Sequence, residues 1–136
     1  MSIRYTASLE GITAEHLRGG FFEGWSRPLT PEQHLRTLQG CSGCVLAIDK
    51  DSGAVVGYIT MLTDGVLSAF IPNIEVLPAY RGAGVGSELF RRMLDQLAAI
   101  PNVDLMCDES VKPFYARFGM VPLGGMAFRR TEIDLP

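Results

Sequence analysis

The segment Pro78-Ala79-Tyr80-Arg81-Gly82-Ala83-Gly84-Val85-Gly86 sets three glycines behind an arginine where an extended run gives way to an amphipathic one. Glycine lets a backbone approach a ligand closely, and the first amides of a helix have no internal acceptors. A strand-to-helix turn of this composition can therefore hold phosphate oxygens. The positive end of the helix dipole strengthens that attraction, and Arg81 can add a full charge. A tight turn with no ligand would use the same glycines. Two nucleotide motifs fail on inspection. The dinucleotide fingerprint G-x-G-x-x-G needs glycine at position 87 or 89, where Ser87 and Leu89 stand, and a Walker loop needs Lys followed by Ser or Thr where Ser87-Glu88 stand.

The cysteines offer less. Cys41-Ser42-Gly43-Cys44 has C-x-x-C spacing, but zinc usually wants four ligands and no second pair accompanies it. A redox pair would start a helix after a strand, whereas this one precedes a strand-like run, so it reads as a turn. No metal is expected. His16 and His34 read as surface helix residues, and Arg129-Arg130 as a solvated strand edge.

The elements that must carry these residues follow from periodicity. Ile3, Tyr5 and Ala7 alternate with polar residues and predict a first strand. Thr13, as an N-cap with His16 three positions on, predicts a helix carrying Leu17, Phe21 and Phe22 as far as Gly24. After a loop from Trp25 to Pro28, Thr30 and Pro31 open a second helix with Leu35 and Leu38 facing inward, ending at Gly40. Val45 to Ile48 and Val55 to Leu62 flank Asp51-Ser52-Gly53 as a hairpin, and Asp64-Gly65 turns into a third antiparallel strand, Leu67 to Val76. Pro72 removes a ladder donor, so that strand is expected to be irregular or unpaired on one side. From Gly84 to Ala99 the residues Val85, Leu89, Phe90, Met93, Leu94 and Leu97 form one apolar stripe of a helix. Val103 to Cys107 predicts a strand, and a strand-helix-strand step of this size favours a parallel crossover, so the sheet is mixed. Ser110 can cap a last short helix with Phe114 and Phe118 at i,i+4 and Gly119 as its stop. Met120 to Ile133 predicts a further strand or hairpin.

The chain has 136 residues, 47% hydrophobic and 20% charged, enough for one domain over 1–136 and far from the composition of disordered chains. A net charge of -3 without a basic stripe removes the footprint of nucleic-acid or anionic-membrane binding. No apolar run reaches the length of a signal peptide or membrane span, so a cytoplasmic location is expected.

Arg81, Gly84 and Gly86 match the Arg/Gln-x-x-Gly-x-Gly/Ala signature, and on them the chain resembles the GNAT superfamily of N-acetyltransferases. Ile74 to Gly82 is similar to that family's fourth strand running into its coenzyme loop. Phe114-Tyr115-Ala116-Arg117-Phe118-Gly119-Met120 is similar to its later Phe-Tyr-x-x-x-Gly-Phe segment. Thr63-Asp64-Gly65 resembles a bacterial branch similar to plant arylalkylamine acetyltransferases. The resemblance implies an α/β (α+β) fold of GNAT type: a mixed central sheet with antiparallel N-terminal strands, then a parallel β-α-β crossover, flanked by about four helices.

It also implies a chemistry. Acetyl-CoA would be the co-substrate, its pyrophosphate at Arg81, Gly82, Ala83, Gly84, Val85, Gly86 and Ser87, and its pantetheine arm along Ile74, Glu75 and Val76. The Val76 amide would polarise the thioester carbonyl; a donor aimed at a developing oxyanion in a dry cleft lowers a barrier by roughly 3 kcal/mol. Tyr115 matches the tyrosine near the coenzyme sulfur, and a phenol of pKa about 10 stays protonated at neutral pH and can serve as general acid. From bare sequence alone Tyr115 reads first as a packed ring with its hydroxyl at the surface, and the resemblance reverses that order. Glu75 is the first choice of base for an ammonium substrate, ahead of Asp64 and Asp108, although strand alternation also allows it to face solvent or an arginine. Phe21, Phe22 and Trp25 can line an acceptor pocket, or the two phenylalanines can be plain core. The implied function is acetyl transfer to a primary amine of a small molecule by direct attack in a ternary complex. A coenzyme-binding sensor or assembly module without turnover, and an enzyme acting on protein N-termini or lysines, are the alternatives. A homodimer is left open.

Overall fold

The computed structural model describes residues 2–136. The alternating residues at the start form β1 (Ile3–Thr6), which lies antiparallel to β2 (Gly43–Asp49) with Tyr5 opposite Ala47. β2 and β3 (Val55–Thr63) make the expected hairpin, Leu46 opposite Tyr58, and the Gly53 amide closes its turn on the Asp49 carbonyl at 2.8 Å. Both strands are buried along nearly their whole length, as happens when helices cover both faces of a sheet.

The strand expected from Leu67 to Val76 is split in two. β4 (Ser68–Phe70) and β5 (Ile74–Val76) are separated by Ile71-Pro72-Asn73, where the proline has no N–H to give a ladder. β4 pairs antiparallel with the end of β3, Leu62 opposite Phe70, and parallel with β6 (Asn102–Asp104), Ser68 opposite Asn102. β5 pairs with β3, Tyr58 opposite Glu75, and with no second strand among the described residues. The sheet order is β1-β2-β3-β4-β6, with β5 beside β3, so the sheet is mixed as expected and divides beyond Pro72.

Helices α1 (Pro31–Gly40) and α2 (Val85–Gln96) flank the hairpin. Neighbouring residues of a strand point to opposite faces, so Gly57 meets α2 at Leu89 while Tyr58 meets α1 at His34. Thr30 caps α1 by a reciprocal pair with Gln33, at 3.2 and 2.9 Å. In α2 the expected stripe is observed, with Val85, Leu89, Phe90 and Met93 buried. A short helix, α3 (Lys112–Ala116), follows β6.

Several expectations are corrected. Thr13 and His16 do form a capping pair, but the segment makes one 3₁₀ turn, Ala14–Leu17, because Gly20 and Gly24 take φ of +86° and +87° and turn the chain out of any helix. Three α-helices flank the sheet among the described residues, where the resemblance implies about four, and the mixed fold is as expected. The strand after α2 is shorter than Val103 to Cys107, and α3 follows a 3₁₀ turn (Glu109–Val111) headed by Asp108 rather than a Ser110 cap. Met120 to Ile133 forms neither strand nor hairpin and pairs with no edge among the described residues. His34 is buried at 1% exposure, not a surface residue, because it shares the inward face of α1 with Leu38 one turn on.

The close approach of α2 to the sheet rests on Gly57. A Cβ there would stand 3.2 Å from both the Glu75 carbonyl oxygen and Leu89 Cδ1. Gly57→Val should destabilise the fold by about 1–3 kcal/mol, the usual range for overpacking, read as a lower urea midpoint. An unchanged midpoint would contradict this packing.

Candidate functional site

The turn before α2 is shaped for an anion. Gly82 and Gly84 both take φ of +82°, and a Cβ on either would meet nothing within 4 Å, so no part of the described chain fills the space in front of them. The Glu88 amide is the first to bond back, to the Gly84 carbonyl at 3.0 Å. Ahead of it the amides of Gly84, Val85, Gly86 and Ser87, the N-cap and first three positions of α2, have no acceptor among the described residues. Four consecutive free donors at the head of a twelve-residue helix, reached through the Gly82 turn, form a phosphate-binding array. Glu88, which would otherwise set a negative charge nearby, is held by Arg91 at 2.6 Å and Arg92 at 2.7 Å, and these pull its pKa down to about 2.

Arg81 does not supply its charge to this array as the sequence suggested. Its side chain folds back along β5, donating from Nε to the Val76 carbonyl at 2.8 Å and from a terminal nitrogen to Glu75 Oε1 at 3.0 Å. The nearer cation is Arg117, which reaches Ser87 Oγ at 3.4 Å from the C-terminal end of α3. It was unremarked in the sequence because one arginine in a helix signals nothing until the fold sets it beside a helix head.

Along β5 the antiparallel alternation fixes which groups are free. Thr60 donates to the Asn73 carbonyl at 3.0 Å and Leu77 to the Val56 carbonyl at 2.8 Å, so Asn73, Glu75 and Leu77 turn their backbone groups to β3. Ile74 and Val76 turn theirs into the gap between β5 and β6. The same gap meets the head of α2 and α3: a Cβ on Gly86 would lie 3.7 Å from Val76 Cγ2 and 3.9 Å from the Phe114 ring. Tyr115, next to Phe114, is half-buried, its ring 5.3 Å from that of Phe90. Burial and then the Cys107 thiol raise its pKa, which keeps the phenol protonated at neutral pH.

Glu75 lies on the other face of β5. Its side chain is 12% exposed and accepts hydrogen bonds from the Phe22 amide and Arg81. Burial raises its pKa most, and the amide and guanidinium act against that. Phe22 holds φ of +59°, a conformation a bulky residue seldom takes, and its bond to Glu75 is the anchor that keeps it there. Phe22 and Phe21 are both buried and Trp25 is exposed, its ring stacked edge-on to Phe22 at 4.6 Å. Beside them a pocket of 260 Å³ is lined by Leu17, Phe21, Glu23, Pro28, Leu29 and His34, among others. The Glu23 carboxylate lies close enough to Glu75 to raise its pKa further.

His34 and Tyr58 form a buried pair that the sequence reading missed. Nδ1 of His34 is 2.8 Å from the Tyr58 hydroxyl, whereas Nε2 has no hydrogen-bond partner among the described residues. Burial lowers the histidine's pKa, with the Phe21 carbonyl pulling the other way. The available signal was the i,i+4 spacing of His34 and Leu38. Of the weaker base choices, Asp64 is consumed by its turn, accepting from the amides of Val66 and Leu67 at 2.8 Å and Ser68 at 3.2 Å. Asp108 heads the 3₁₀ turn before α3. The cysteine pair is a turn into β2, and burial pushes the Cys44 thiol up to about 11, which makes it a poor nucleophile. No helix among the described residues is long and apolar enough to cross a membrane.

Comparison with known proteins places this geometry. The sequence model described as the acetyltransferase (GNAT) family matches residues 12–120. A candidate acetyltransferase from Deinococcus radiodurans R1, solved as a crystal structure, superposes with a TM-score of 0.90 at 45% identity, covering 96% of this chain and 90% of that one. Serotonin N-acetyltransferase of Macaca mulatta is 33% identical over 73% of this chain, and serotonin N-acetyltransferase 2, chloroplastic, of Oryza sativa subsp. japonica is 28% identical over 77%. The matches cover 52% and 57% of those two proteins, so the chain spans little more than half their length.

The buried histidine generates a pH dependence. An unfolded histidine titrates near 6.5, and His34 in the fold titrates lower, so below about 6.5 the unfolded chain takes up a proton the fold refuses. Stability should therefore be flat above that pH and fall on acidification towards about pH 5. In His34→Gln this part of the slope should vanish. Urea midpoints of both proteins at the two pH values test it, and equal slopes would contradict it.

Proposed function

The chain belongs to the acetyltransferase (GNAT) family, and from that premise we propose that it moves an acetyl group from acetyl-CoA to a primary amine of a small molecule by direct attack in a ternary complex. The observation that carries the reading is the run of free amides from Gly84 to Ser87 opening beside the unpaired edge of β5. A diphosphate fits the first and a pantetheine amide chain fits the second. Arg117 adds the cation at the helix head, and Ile74 and Val76 supply the strand-like hydrogen bonds. The fit needs Arg81 to release the Val76 carbonyl.

The bound co-substrate supplies an activated thioester. The Val76 amide donates to the carbonyl oxygen as negative charge develops on it, in a gap walled by Phe114 and α2. The amine nitrogen forms the new bond to the carbonyl carbon, the carbon–sulfur bond breaks, Tyr115 gives its proton to the departing thiolate, and the proton that the nitrogen sheds as the amide forms returns, through water, to the Tyr115 phenolate. Glu75, directly or through water, takes the proton an ammonium must lose; its raised pKa makes it a better base than an ordinary surface carboxylate. Arg81 has to leave Glu75 as well as Val76 for this, so one movement frees both positions.

The pocket beside Phe21 and His34 supports a small acceptor. A volume of 260 Å³ admits an amine with one or two rings but no polypeptide, and the Glu23 carboxylate at its wall attracts an ammonium. Serotonin, named for the two relatives, is a primary amine carried on an aromatic ring system, and the aromatic lining suits that class.

Release of thiol from acetyl-CoA should be measured against aryl, arylalkyl, alkyl and polyamine acceptors. Turnover is expected with arylalkyl or alkyl amines. Tyr115→Phe should lower kcat by roughly 10²-fold or more with little change in KM for acetyl-CoA, the scale of general acid catalysis. No thiol release with any acceptor would overturn the enzymatic reading, and full kcat in the variant would remove Tyr115 as the acid.

A further inference from the structure

The outer wall of the acceptor pocket is tied to a distant part of the chain. Arg27 spreads its guanidinium over three backbone carbonyls that lie 103 to 106 positions away in sequence. One terminal nitrogen donates to Ile133 at 2.6 Å, and the other donates to Thr131 at 2.6 Å and to Arg130 at 3.3 Å. Arg27 has no ion pair among the described residues, so its charge goes to these neutral acceptors. Charge-assisted bonds are stronger than neutral ones, and the planar fork lets one side chain hold several oxygens at once.

The segment held in this way, Trp25 to Leu29, lies outside any helix or strand. One end is pinned where the Trp25 amide donates to the Phe22 carbonyl at 3.1 Å, and the other where Thr30 caps α1. Arg27 stands between them, and the two residues after it, Pro28 and Leu29, line the 260 Å³ pocket opposite the buried Phe21 and His34. A wall made of loop opens more readily than one made of strand or helix, so a tie at its middle governs the shape of the pocket.

We propose that Arg27 is a positioning residue for the acceptor: by clasping the carbonyls of Arg130, Thr131 and Ile133 it holds Pro28 and Leu29 where they close the pocket around a small amine. The proposal rests on the reading of that pocket as the acceptor site. Residues 130–133 thereby serve the site although none of them lines it. The partners of Arg27 lie neither in the β5–β6 wedge nor on Glu75, so its effect passes through the loop to amine affinity and leaves the co-substrate side alone.

Arg27→Met, which keeps the apolar stem and removes every donor, tests the proposal beside Arg27→Lys, which keeps the charge and part of the donor set. With 2-phenylethylamine as acceptor, Arg27→Met should raise the KM for the amine about tenfold, the scale of one lost charge-assisted bond. Its kcat and its KM for acetyl-CoA should stay within about twofold of wild type, and Arg27→Lys should recover part of the loss. Hydrogen exchange, which needs no turnover, should quicken in Arg27→Met at both 25–29 and 131–134. An unchanged KM for the amine would overturn the proposal, as would exchange that changes in neither segment. A fall in kcat, or an equal rise in the KM for acetyl-CoA, would overturn it too, since a loosened fold and not a loosened wall would be the cause. If wild type releases no thiol with this amine, the arylalkylamine reading fails, and exchange decides the clasp on its own.

Discussion

One strand cannot keep hydrogen bonds to two neighbours across a proline. At Ile71-Pro72-Asn73 the ladder breaks, and the two halves take different partners: β4 runs between β3 and β6, and β5 stays with β3 alone. The open wedge that results is where backbone groups of Ile74 and Val76 remain available. The next residues of the chain turn through Gly82 and Gly84 into α2, so the helix head necessarily faces the mouth of the same wedge. Gly57 then brings α2 down onto β3, and Gly86 does the same beside Phe114. The proposed co-substrate site is thus built almost wholly of backbone, with side chains serving to set distances.

The opposite face of β5 works by a different principle. Glu75, His34, Tyr58 and the Phe22 amide put polar groups into a poorly solvated layer, and each partner left unmatched there raises the energy of the fold. The layer is incompletely matched: Nε2 of His34 and Oγ1 of Thr60 have no partners among the described residues. Phe22 adds backbone strain on the order of 1–3 kcal/mol. Such a layer is a poor way to stabilise a small domain and a good way to hold a carboxylate with a raised pKa beside an aromatic pocket. Arg81 connects the two faces, since it neutralises Glu75 while covering the Val76 carbonyl.

The legible part of the molecule is the part encoded by local pattern. Alternation fixed the β2–β3 hairpin, the apolar stripe from Val85 to Leu97 fixed α2, Pro72 announced the broken strand, and the glycines announced the helix head. Contacts between distant residues were hidden. Phe22 bonds to Glu75 across 53 positions, and Arg27 to Ile133 across 106, so neither leaves a periodic signature. His34 was misplaced because a histidine on a helix reads as polar unless its neighbour one turn on is weighed. The segment after Met120 has the alternation of a strand, but alternation alone cannot say that it pairs with no edge among the described residues. Tyr115 gained its reading from motif likeness; burial and its place against Phe90 are what periodicity could not supply.

The account turns on unpaired backbone amides at the mouth of the β5–β6 wedge. Titration of the isotope-labelled protein with CoA, followed through its backbone amide resonances, measures them directly. The largest shifts should fall on Gly84 to Ser87, with Ile74 and Val76 moving in step at the same ligand concentration. Saturable binding that leaves those resonances in place, or no binding at millimolar CoA, would contradict it.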